Sequence, residues 1–288
     1  MKRLRAFCRL QLCLALPLAA GCGNAAQPLP ATSASIQRGA PEQHWLPRAD
    51  TSYQIQYTGR LDERVPAQIY DLDGFDTPPS VVTKLHALKR RAVCYIDAGT
   101  WENWRPDAKE FPKKVLGEPV SHWPGERWLD IRATAILEPI MSKRFDLCKQ
   151  KGFDGVDPDN IDGYTNDTGF RLSGAQQLAY DLWLAKAAHA RGLAVAQKND
   201  NGQVAQLSKA FDFAVLEQCY AQGWCKQFAL YAKSHRLVVD VEYGLSEQTF
   251  LTKTCASDAR YDETAILKKL QLTAWIVTCS KPALGSPS

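Results

Sequence analysis

The amino-acid sequence predicts an α/β fold of the (β/α)8 or TIM-barrel class, and three observations support this prediction. Short apolar runs alternate with helical patterns through residues 52–278, which is typical of parallel strands connected by helices. The runs number eight, which is the strand count of this barrel. Six of the runs end in polar or acidic residues, as barrel strands do where their loops build an active site.

The predicted strands are residues 52–57, 67–72, 92–98, 153–158, 193–197, 213–217, 237–242 and 273–278. The predicted helices are residues 79–91, 139–151, 173–191, 223–235 and 264–270. Pro139 is expected in the first turn of its helix, where its missing N–H costs nothing. Ser173 is expected to cap the next helix. A doubly wound sheet would need a Gly-rich phosphate turn after an early strand, and the sequence has none.

The composition is that of a globular enzyme-sized domain, with 45% hydrophobic and 23% charged residues among 288. The formal net charge is only +4, and basic residues form no run after the first nine positions. We therefore expect no nucleic-acid partner.

The first 22 residues read as an export signal. Lys2, Arg3 and Arg5 precede an apolar run over residues 10–20, which is too short for a permanent membrane span. The run ends in Leu-Ala-Ala-Gly-Cys, which resembles the bacterial lipoprotein signal, so we expect lipidation of Cys22 and a membrane-anchored, exported protein. Ordinary signal-peptide cleavage and secretion are the alternative. Residues 23–47 read as a polar tether, and residues 48–288 as the catalytic domain.

The six remaining cysteines are expected to form disulfides, because an exported chain enters an oxidising compartment. Cys219 and Cys225 are close enough in sequence to close a small loop, and Cys94–Cys148 and Cys255–Cys279 would complete a set of local bridges. No CxxC pair is present and no histidines lie near the cysteines. We therefore expect no metal and no cofactor.

Residues 152–164 place four aspartates within nine positions, among apolar residues. On a strand that ends near Pro158, Asp157 and Asp159 share one face. Two such carboxylates repel unless a cation or a shared proton lies between them, and this cost marks a functional candidate. A calcium loop or a solvated acidic turn is the alternative interpretation.

Other predicted strand ends bring further polar groups to the same face. They supply Asp71, Asp73, Tyr95, Asp97, Lys198, Glu217 and Glu242. Carboxylates from several strands are typical of glycoside hydrolases, which need one protonated and one ionised carboxyl. Aromatic residues follow these strands at Trp101, Trp104, Trp123, Tyr164 and Tyr220; for each tryptophan, ordinary packing is the alternative to a sugar platform. A lysine at position 198 would hold one carboxylate ionised.

Four separated motifs resemble glycoside hydrolase family 114. They are Gly-Phe-Asp-Gly-Val-Asp-Pro-Asp-Asn-Ile-Asp-Gly-Tyr at 152–164, Trp-Leu-Asp-Ile-Arg at 128–132, Ala-Gln-Lys-Asn at 196–199 and Leu-Glu-Gln-Cys-Tyr at 216–220. The resemblance implies a (β/α)8 barrel with endo-α-1,4-polygalactosaminidase activity. It implies Glu217 as one catalytic carboxylate and a residue of the first motif as the other, with Asp159 our first choice and Asp157 our second. The Cys219–Cys225 pair also fits the family pattern.

The implied partner is a cationic or partly acetylated galactosamine-containing polysaccharide. We expect it to contact Asp71, Asp73, Tyr95, Asp97, Trp101, Tyr164, Lys198, Tyr220 and Glu242. Because the whole chain is weakly basic, any attraction for a polycation must be local.

Two alternative functions remain. One is a non-catalytic carbohydrate-binding barrel, which the retained acidic residues disfavour. The other is a metal-dependent hydrolase or deacetylase, disfavoured because none of the histidines (His44, His86, His122, His189 and His235) lies at a predicted strand end.

Overall fold

The structure, a computed structural model, describes residues 44–279. Eight strands follow one another in a single curled sheet, each hydrogen-bonded in parallel to the next. They are β1 (Tyr53–Gln56), β2 (Ile69–Asp73), β3 (Arg91–Asp97), β4 (Gly155–Asp159), β5 (Ala194–Lys198), β6 (Phe213–Glu217), β7 (Val238–Tyr243) and β8 (Thr264–Lys268). The predicted (β/α)8 fold is confirmed.

Eight α-helical segments accompany the strands. They are α1 (Pro79–Ala87), α2 (Thr134–Lys151), α3 (Gly174–His189), α4 (Val204–Leu207), α5 (Cys219–Gln222), α6 (Ala229–Ala232), α7 (Glu247–Thr249) and α8 (Cys255–Tyr261). Short 3-10 turns cover Ala108–Glu110, Lys113–Val115, Gly163–Thr165 and Cys225–Phe228, and a π-helical turn covers Phe250–Thr254. Ser173 caps α3 in a reciprocal capping box with Gln176. Across the described residues, every helix falls short of the length and apolar character needed to cross a membrane.

Apolar side chains fill two layers. Inside the sheet, residues such as Ile55, Val93, Val215 and Val241 pack together, as in a filled barrel interior. A larger cluster lies between the sheet and the helices. Because both faces are covered, nearly every strand residue is buried, which explains why the strands read as continuous apolar runs in the sequence.

The structure corrects the prediction for the eighth strand. Residues 264–270 were expected to be a helix, but Thr264–Lys268 forms β8 with all five residues buried. Residues 273–278 were expected to be the eighth strand, yet only Val277–Thr278 pairs, as a short antiparallel strand, β9, against β8. A short apolar run buried on both faces has no periodicity that separates strand from helix.

Two helix predictions were also wrong in detail. Helix α2 begins at Thr134 rather than at Pro139, which lies inside it. The burial of Leu137, Ile140 and Met141 around that position offsets the hydrogen bond that proline cannot make. The helix expected at 223–235 is instead broken into the turn Cys225–Phe228 and the short helix α6.

All three expected disulfides are formed. Cys94 on β3 bonds to Cys148 on α2, Cys219 to Cys225, and Cys255 to Cys279. Their presence fits an exported protein. The expected signal peptide, Cys22 and residues 23–43 of the expected tether lie outside the described residues.

An excursion between β3 and α2 builds a second, antiparallel sheet that was not predicted. Its strands are Thr100–Glu102, Leu116–Pro119 and Glu126–Leu129, and we call it the wall sheet. It is fixed to the barrel by the backbone bonds from Leu129 N–H to Gly99 O and from Glu118 N–H to Thr168 O, both 2.9 Å long. Gly99 approaches the Asn160 carbonyl so closely that any side chain would clash. The wall sheet therefore stands at the carboxyl ends of β3 and β4.

Candidate active site

A cavity of about 1050 Å³ opens at the carboxyl ends of the strands, between the barrel and the wall sheet. Nine acidic side chains but only two basic ones line it. The acids are Asp73, Asp76, Glu102, Glu118, Glu126, Asp159, Asp162, Asp167 and Glu217, and the bases are Arg105 and Lys198. The local charge is thus strongly negative although the whole chain is weakly basic, so the cavity attracts cations.

Lys198, Asp159 and Glu217 form the bottom of the cavity, which we call the floor. Lys198 lies at its centre. It ends β5, is 2% exposed, and faces carboxylates from two neighbouring strands. Its Nζ lies 3.2 Å from Asp159 Oδ1, 3.6 Å from Asp157 Oδ2 and 4.0 Å from Glu217 Oε1. Burial alone would disfavour the ammonium, yet these three carboxylates raise the pKa of Lys198 well above its ordinary value. The lysine therefore stays charged.

Two tyrosines orient the two carboxylates that reach the cavity. Tyr95 at the end of β3 donates its hydroxyl to Asp159 Oδ2 at 3.1 Å, and Tyr243 at the end of β7 donates to Glu217 Oε1 at 2.9 Å. The Asn160 N–H also donates to Asp159 Oδ1 at 2.8 Å. Donors of this kind hold each carboxylate in one orientation.

The residues that directly follow these site residues adopt left-handed backbone. Asn160 after Asp159, Asn199 after Lys198 and Gln218 after Glu217 have φ of 59°, 47° and 58°. This conformation is costly for residues other than glycine, and such strain collects at functional sites. Here it turns the chain sharply at each strand end. At β6 the turn is reinforced by the Glu217 N–H, which donates to Asn199 Oδ1 at 2.9 Å.

Asp157 and Asp71 lie beneath the floor and are fully buried. Burial raises the pKa of Asp157 to about 6, while Lys198 opposes the rise. Burial, and then the charge of Asp157, raise the pKa of Asp71 well above its ordinary value. Tyr53 donates its hydroxyl to Asp71 Oδ2 at 2.8 Å. Burial beside a second carboxylate therefore favours the protonated form of Asp71.

The wall sheet contributes a second buried acidic group. Arg105 Nη1 lies 2.8 Å from Asp73, and its Nε lies 2.6 Å from Glu102. Thr100 Oγ1 lies 3.2 Å from Glu126 Oε1. Burial, and then the charge of Asp97, raise the pKa of Glu126 to about 9, and burial raises that of Glu102 to about 7. Glu126 is therefore protonated at neutral pH when no cation occupies the cavity.

The structure separates the sequence-predicted site residues into three groups. Asp73, Tyr95, Asp159, Lys198 and Glu217 line the cavity. Asp71, Asp97 and Asp157 are fully buried and do not line it. Trp101, Tyr164, Tyr220 and Glu242 do not line it either.

The last group makes structural contacts instead. Trp101 Nε1 donates to the Ala108 carbonyl at 2.9 Å, and Tyr164 donates its hydroxyl to Asp200 at 2.9 Å. Glu242 Oε1 accepts the backbone N–H groups of Tyr220 and Ala221 at 3.0 and 3.1 Å, where it supports the start of α5. Tyr220 itself packs against the core.

Sequence reasoning missed several residues that line the cavity. Glu102, Arg105 and Glu126 come from the wall sheet, which was not predicted, whereas Tyr243 stands at the end of a predicted strand and could have been found there. Asp162, in the loop after β4, also lines the cavity, and burial followed by the charge of Asp159 raises its pKa to about 6. Trp104 and Trp123 line the cavity with about half of each side chain exposed.

Comparisons with known proteins agree with this geometry. The family model described as glycoside-hydrolase family GH114 matches residues 34–283. The structure of Ega3 from Aspergillus fumigatus in complex with galactosamine is 34% identical, with a TM-score of 0.76 over 82% of this chain and 98% of that one. The glycoside hydrolase domain of PelA from Pseudomonas aeruginosa shares the fold, with 13% identity and a TM-score of 0.63 over 80% of this chain and 99% of that one.

No curated protein sequence matches the chain. The resemblance drawn from the sequence motifs is nevertheless confirmed by the family model and by Ega3, and the chain is an enzyme rather than a binding module. It belongs to glycoside-hydrolase family GH114.

Proposed function

We propose that this glycoside hydrolase cleaves α-1,4-linked galactosamine polymers internally, with Asp159 and Glu217 as its two catalytic carboxylates. The cavity is the observation that supports the proposal. Asp159 and Glu217 lie on either side of Lys198 on its floor, and nine acidic and two basic side chains among the described residues line it. The similarity to a protein whose structure contains galactosamine supports the same substrate class.

The charge of the cavity matches that of the substrate. The amine of a de-N-acetylated galactosamine unit is largely ammonium near neutral pH. Of the cavity acids, Asp159, Glu217, Asp73 and Glu102 have a lysine or arginine within 4.0 Å. Asp162 and Glu126 have no such ion pair among the described residues, and burial, followed by the charge of a neighbouring carboxylate, raises the pKa of each. A substrate ammonium would supply the missing positive charge.

The two proposed catalytic residues fit the chemistry of glycoside hydrolysis. One carboxyl must protonate the leaving oxygen, and the other, ionised, must attack the sugar or activate water. Asp159 and Glu217 both line the cavity, on opposite sides of Lys198, and each is held by a tyrosine. The lysine and the tyrosines limit their movement, so both carboxyls are preorganised for a sugar lying above the floor.

Asp157 was our second choice for the catalytic carboxylate on β4, and we assign it a different role. It is fully buried and lies 3.6 Å from the ammonium of Lys198, so it has no surface to offer a sugar. We propose that it holds Lys198 in place beneath Asp159.

The mouth of the cavity would bind sugar units on either side of the cleaved bond. Trp104 and Trp123 present exposed indole faces there, and such faces pack against the C–H side of sugar rings. An open cavity with exposed tryptophans in its lining suits internal cleavage, because a polymer can bind there through sugar units in the middle of its chain.

The experiment that tests this function uses galactosamine polymers of defined acetylation. Purified protein is incubated with each polymer and the products are sized by mass spectrometry. We expect a ladder of oligosaccharides of mixed length at early times, from polymers that retain free amines. Release of single sugars alone would exclude internal cleavage, and intact polymer in every sample would exclude the proposed activity.

We also propose that residues 1–22 form a signal peptide, that Cys22 is lipid-modified, and that residues 23–47 tether the barrel to a membrane surface. The basic residues, the apolar run and the Leu-Ala-Ala-Gly-Cys sequence support this. In bacterial cells that express the full chain, Cys22→Ala should move the protein from the membrane fraction to the soluble exported fraction. An unchanged membrane fraction would contradict lipidation at this residue.

A further inference from the structure

A cluster of metal-ligating side chains lies at the amino-terminal end of the barrel, opposite the cavity. It consists of His44, His189 and Asp212. His189 ends α3, ahead of β5, and Asp212 directly precedes β6. The catalytic candidates Lys198 and Glu217 are the last residues of those two strands, so the length of a five-residue strand, about 16 Å, separates the cluster from the cavity floor.

Both imidazoles point the same nitrogen at one carboxylate. His44 Nε2 lies 2.9 Å from Asp212 Oδ1, and His189 Nε2 lies 2.8 Å from Asp212 Oδ2. The two rings are stacked, with centroids 4.2 Å apart and planes inclined by 14°. All three ligand atoms lie within 4.8 Å of one another.

The carboxylate is held in this orientation by the barrel. The Val195 N–H donates to Asp212 Oδ2 at 2.9 Å, and the Asp212 side chain is only 9% exposed. Such an outer contact fixes a ligand before the ion arrives. The two histidines are partly exposed, at 22% and 30%, so an ion has a path from solvent.

We propose that His44, His189 and Asp212 form a Zn²⁺ site that fastens the segment around His44 to the amino-terminal end of the barrel. Two histidines and one carboxylate, completed by water, are an established zinc ligand set. With metal–ligand distances of about 2.0–2.2 Å, tetrahedral zinc needs ligand atoms roughly 3.4 Å apart, which asks only for a small adjustment of the side chains.

The zinc site would attach the segment around His44 to the barrel. His44 lies near the end of the expected tether, residues 23–47, and it reaches Asp212 from 168 positions away in the sequence. Close by, the Leu237 N–H donates to the Pro47 carbonyl at 3.2 Å, so the segment is already seated on the barrel. Zinc would add a cross-link between this segment, α3 and the entry to β6.

The test uses the untagged full-length protein, treated with a chelator, dialysed and titrated with ZnCl2 by calorimetry. We expect saturable binding of one ion per chain at this site. His44→Gln and His189→Gln should each weaken it by at least about tenfold, since even the loss of an outer contact costs that much. Zinc should raise the Tm of the wild-type protein and not that of either variant.

The matched control is His86→Gln. His86 Nε2 also lies 2.8 Å from an aspartate, Asp154, but within residues 44–279 no second histidine joins that pair. This variant should bind zinc as the wild type does. Zinc binding that persists unchanged in both His44→Gln and His189→Gln, or no saturable binding by the wild type, would overturn the proposal. If His189→Gln has lost its native circular dichroism, His44→Gln decides.

Discussion

The floor and the wall of the cavity bury acidic groups in two different ways. On the floor, one lysine lies within 4.0 Å of Asp157, Asp159 and Glu217. Beside the wall sheet, Arg105 pairs with Asp73 at the end of β2 and with Glu102 of the wall sheet. Glu126 of the wall sheet has no ion pair among the described residues. Burial, followed by the charge of Asp97, raises the pKa of Glu126 to about 9, so a proton neutralises Glu126 instead of a cation.

This difference separates groups suited to chemistry from groups suited to binding. The floor carboxylates are fixed by a permanent cation and by tyrosine hydroxyls, so their geometry does not depend on the ligand. A group neutralised only by a proton can exchange that proton for a bound ammonium. The floor is thus a candidate for catalysis and the wall for recognition of a cationic sugar.

The largest effect is expected at the two floor carboxylates that reach the cavity. Glu217→Gln and Asp159→Asn should each lower kcat by roughly a hundredfold to ten-thousandfold, because each removes a proton-transferring or charged group from the reaction. Reducing-end release from a galactosamine polymer measures this. Asp50→Asn, at an exposed carboxylate that does not line the cavity, is the control and should stay near the wild-type rate. Near-wild-type turnover in either floor variant would remove that residue from the pair.

Removal of the floor cation should destabilise the protein. Lys198→Met leaves three carboxylates without their shared ammonium, and loss of one partner of a buried ion pair costs about 3–5 kcal/mol in the free energy of unfolding. Urea denaturation measures this. Adding Asp157→Asn to Lys198→Met should restore part of the loss, since it removes the most deeply buried of the stranded charges. No difference between the single and the double variant would mean that Lys198 and Asp157 are not coupled.

Asp157→Asn alone tests whether the two aspartates of β4 have different roles, with Asp157 buried and Asp159 reaching the cavity. Because Asp157 acts through Lys198, kcat should fall less than in Asp159→Asn, while KM stays similar. The two variants are compared on one polymer under one set of conditions. Equal losses of kcat would contradict a supporting role for Asp157 and return it to the catalytic pair.

The effect expected at Glu126 in the wall sheet depends on pH. Between pH 4.5, the ordinary pKa of a glutamate, and pH 9, folded Glu126 keeps a proton that the unfolded chain has lost. The folded state then binds more protons, so the free energy of unfolding falls as pH rises through this range. Glu126→Gln should remove that contribution and gain stability relative to wild type at pH 8.5 but not at pH 4.

Chemical denaturation at the two pH values measures the effect. Glu118→Gln is the control, because Glu118 is an exposed residue of the same wall sheet, and its stability should follow the wild type at both pH values. A Glu126→Gln variant whose stability difference from wild type is the same at pH 4 and pH 8.5 would show that Glu126 is already ionised in the folded protein.

The contrast between floor and wall also explains what the sequence could predict. Floor residues sit at the ends of strands that are continuous apolar runs, so Asp159, Lys198 and Glu217 could be placed on one face by strand alternation and by the order of a barrel. Strand β8 was missed because Thr264–Lys268 is short and buried on both faces, a pattern shared with a buried helix.

The wall could not be predicted in the same way. Its strands Thr100–Glu102 and Glu126–Leu129 are three and four residues long and pair across a long excursion, so neither has a period that local sequence reveals. Nothing in the local sequence therefore marks Glu126 as a cavity residue. A related reason applies to Trp101, Tyr164, Tyr220 and Glu242, which do not line the cavity: being near a strand end does not fix which way a side chain points.

The central claim, that an acidic cavity cleaves a cationic sugar polymer, is tested most directly by one comparison of kcat/KM. The wild-type enzyme is assayed on an α-1,4-linked galactosamine polymer with free amines and on the same polymer after complete N-acetylation, which removes the positive charge. We predict a higher kcat/KM for the charged polymer, with the advantage shrinking as salt is added. An equal or higher kcat/KM for the fully acetylated polymer would contradict the claim.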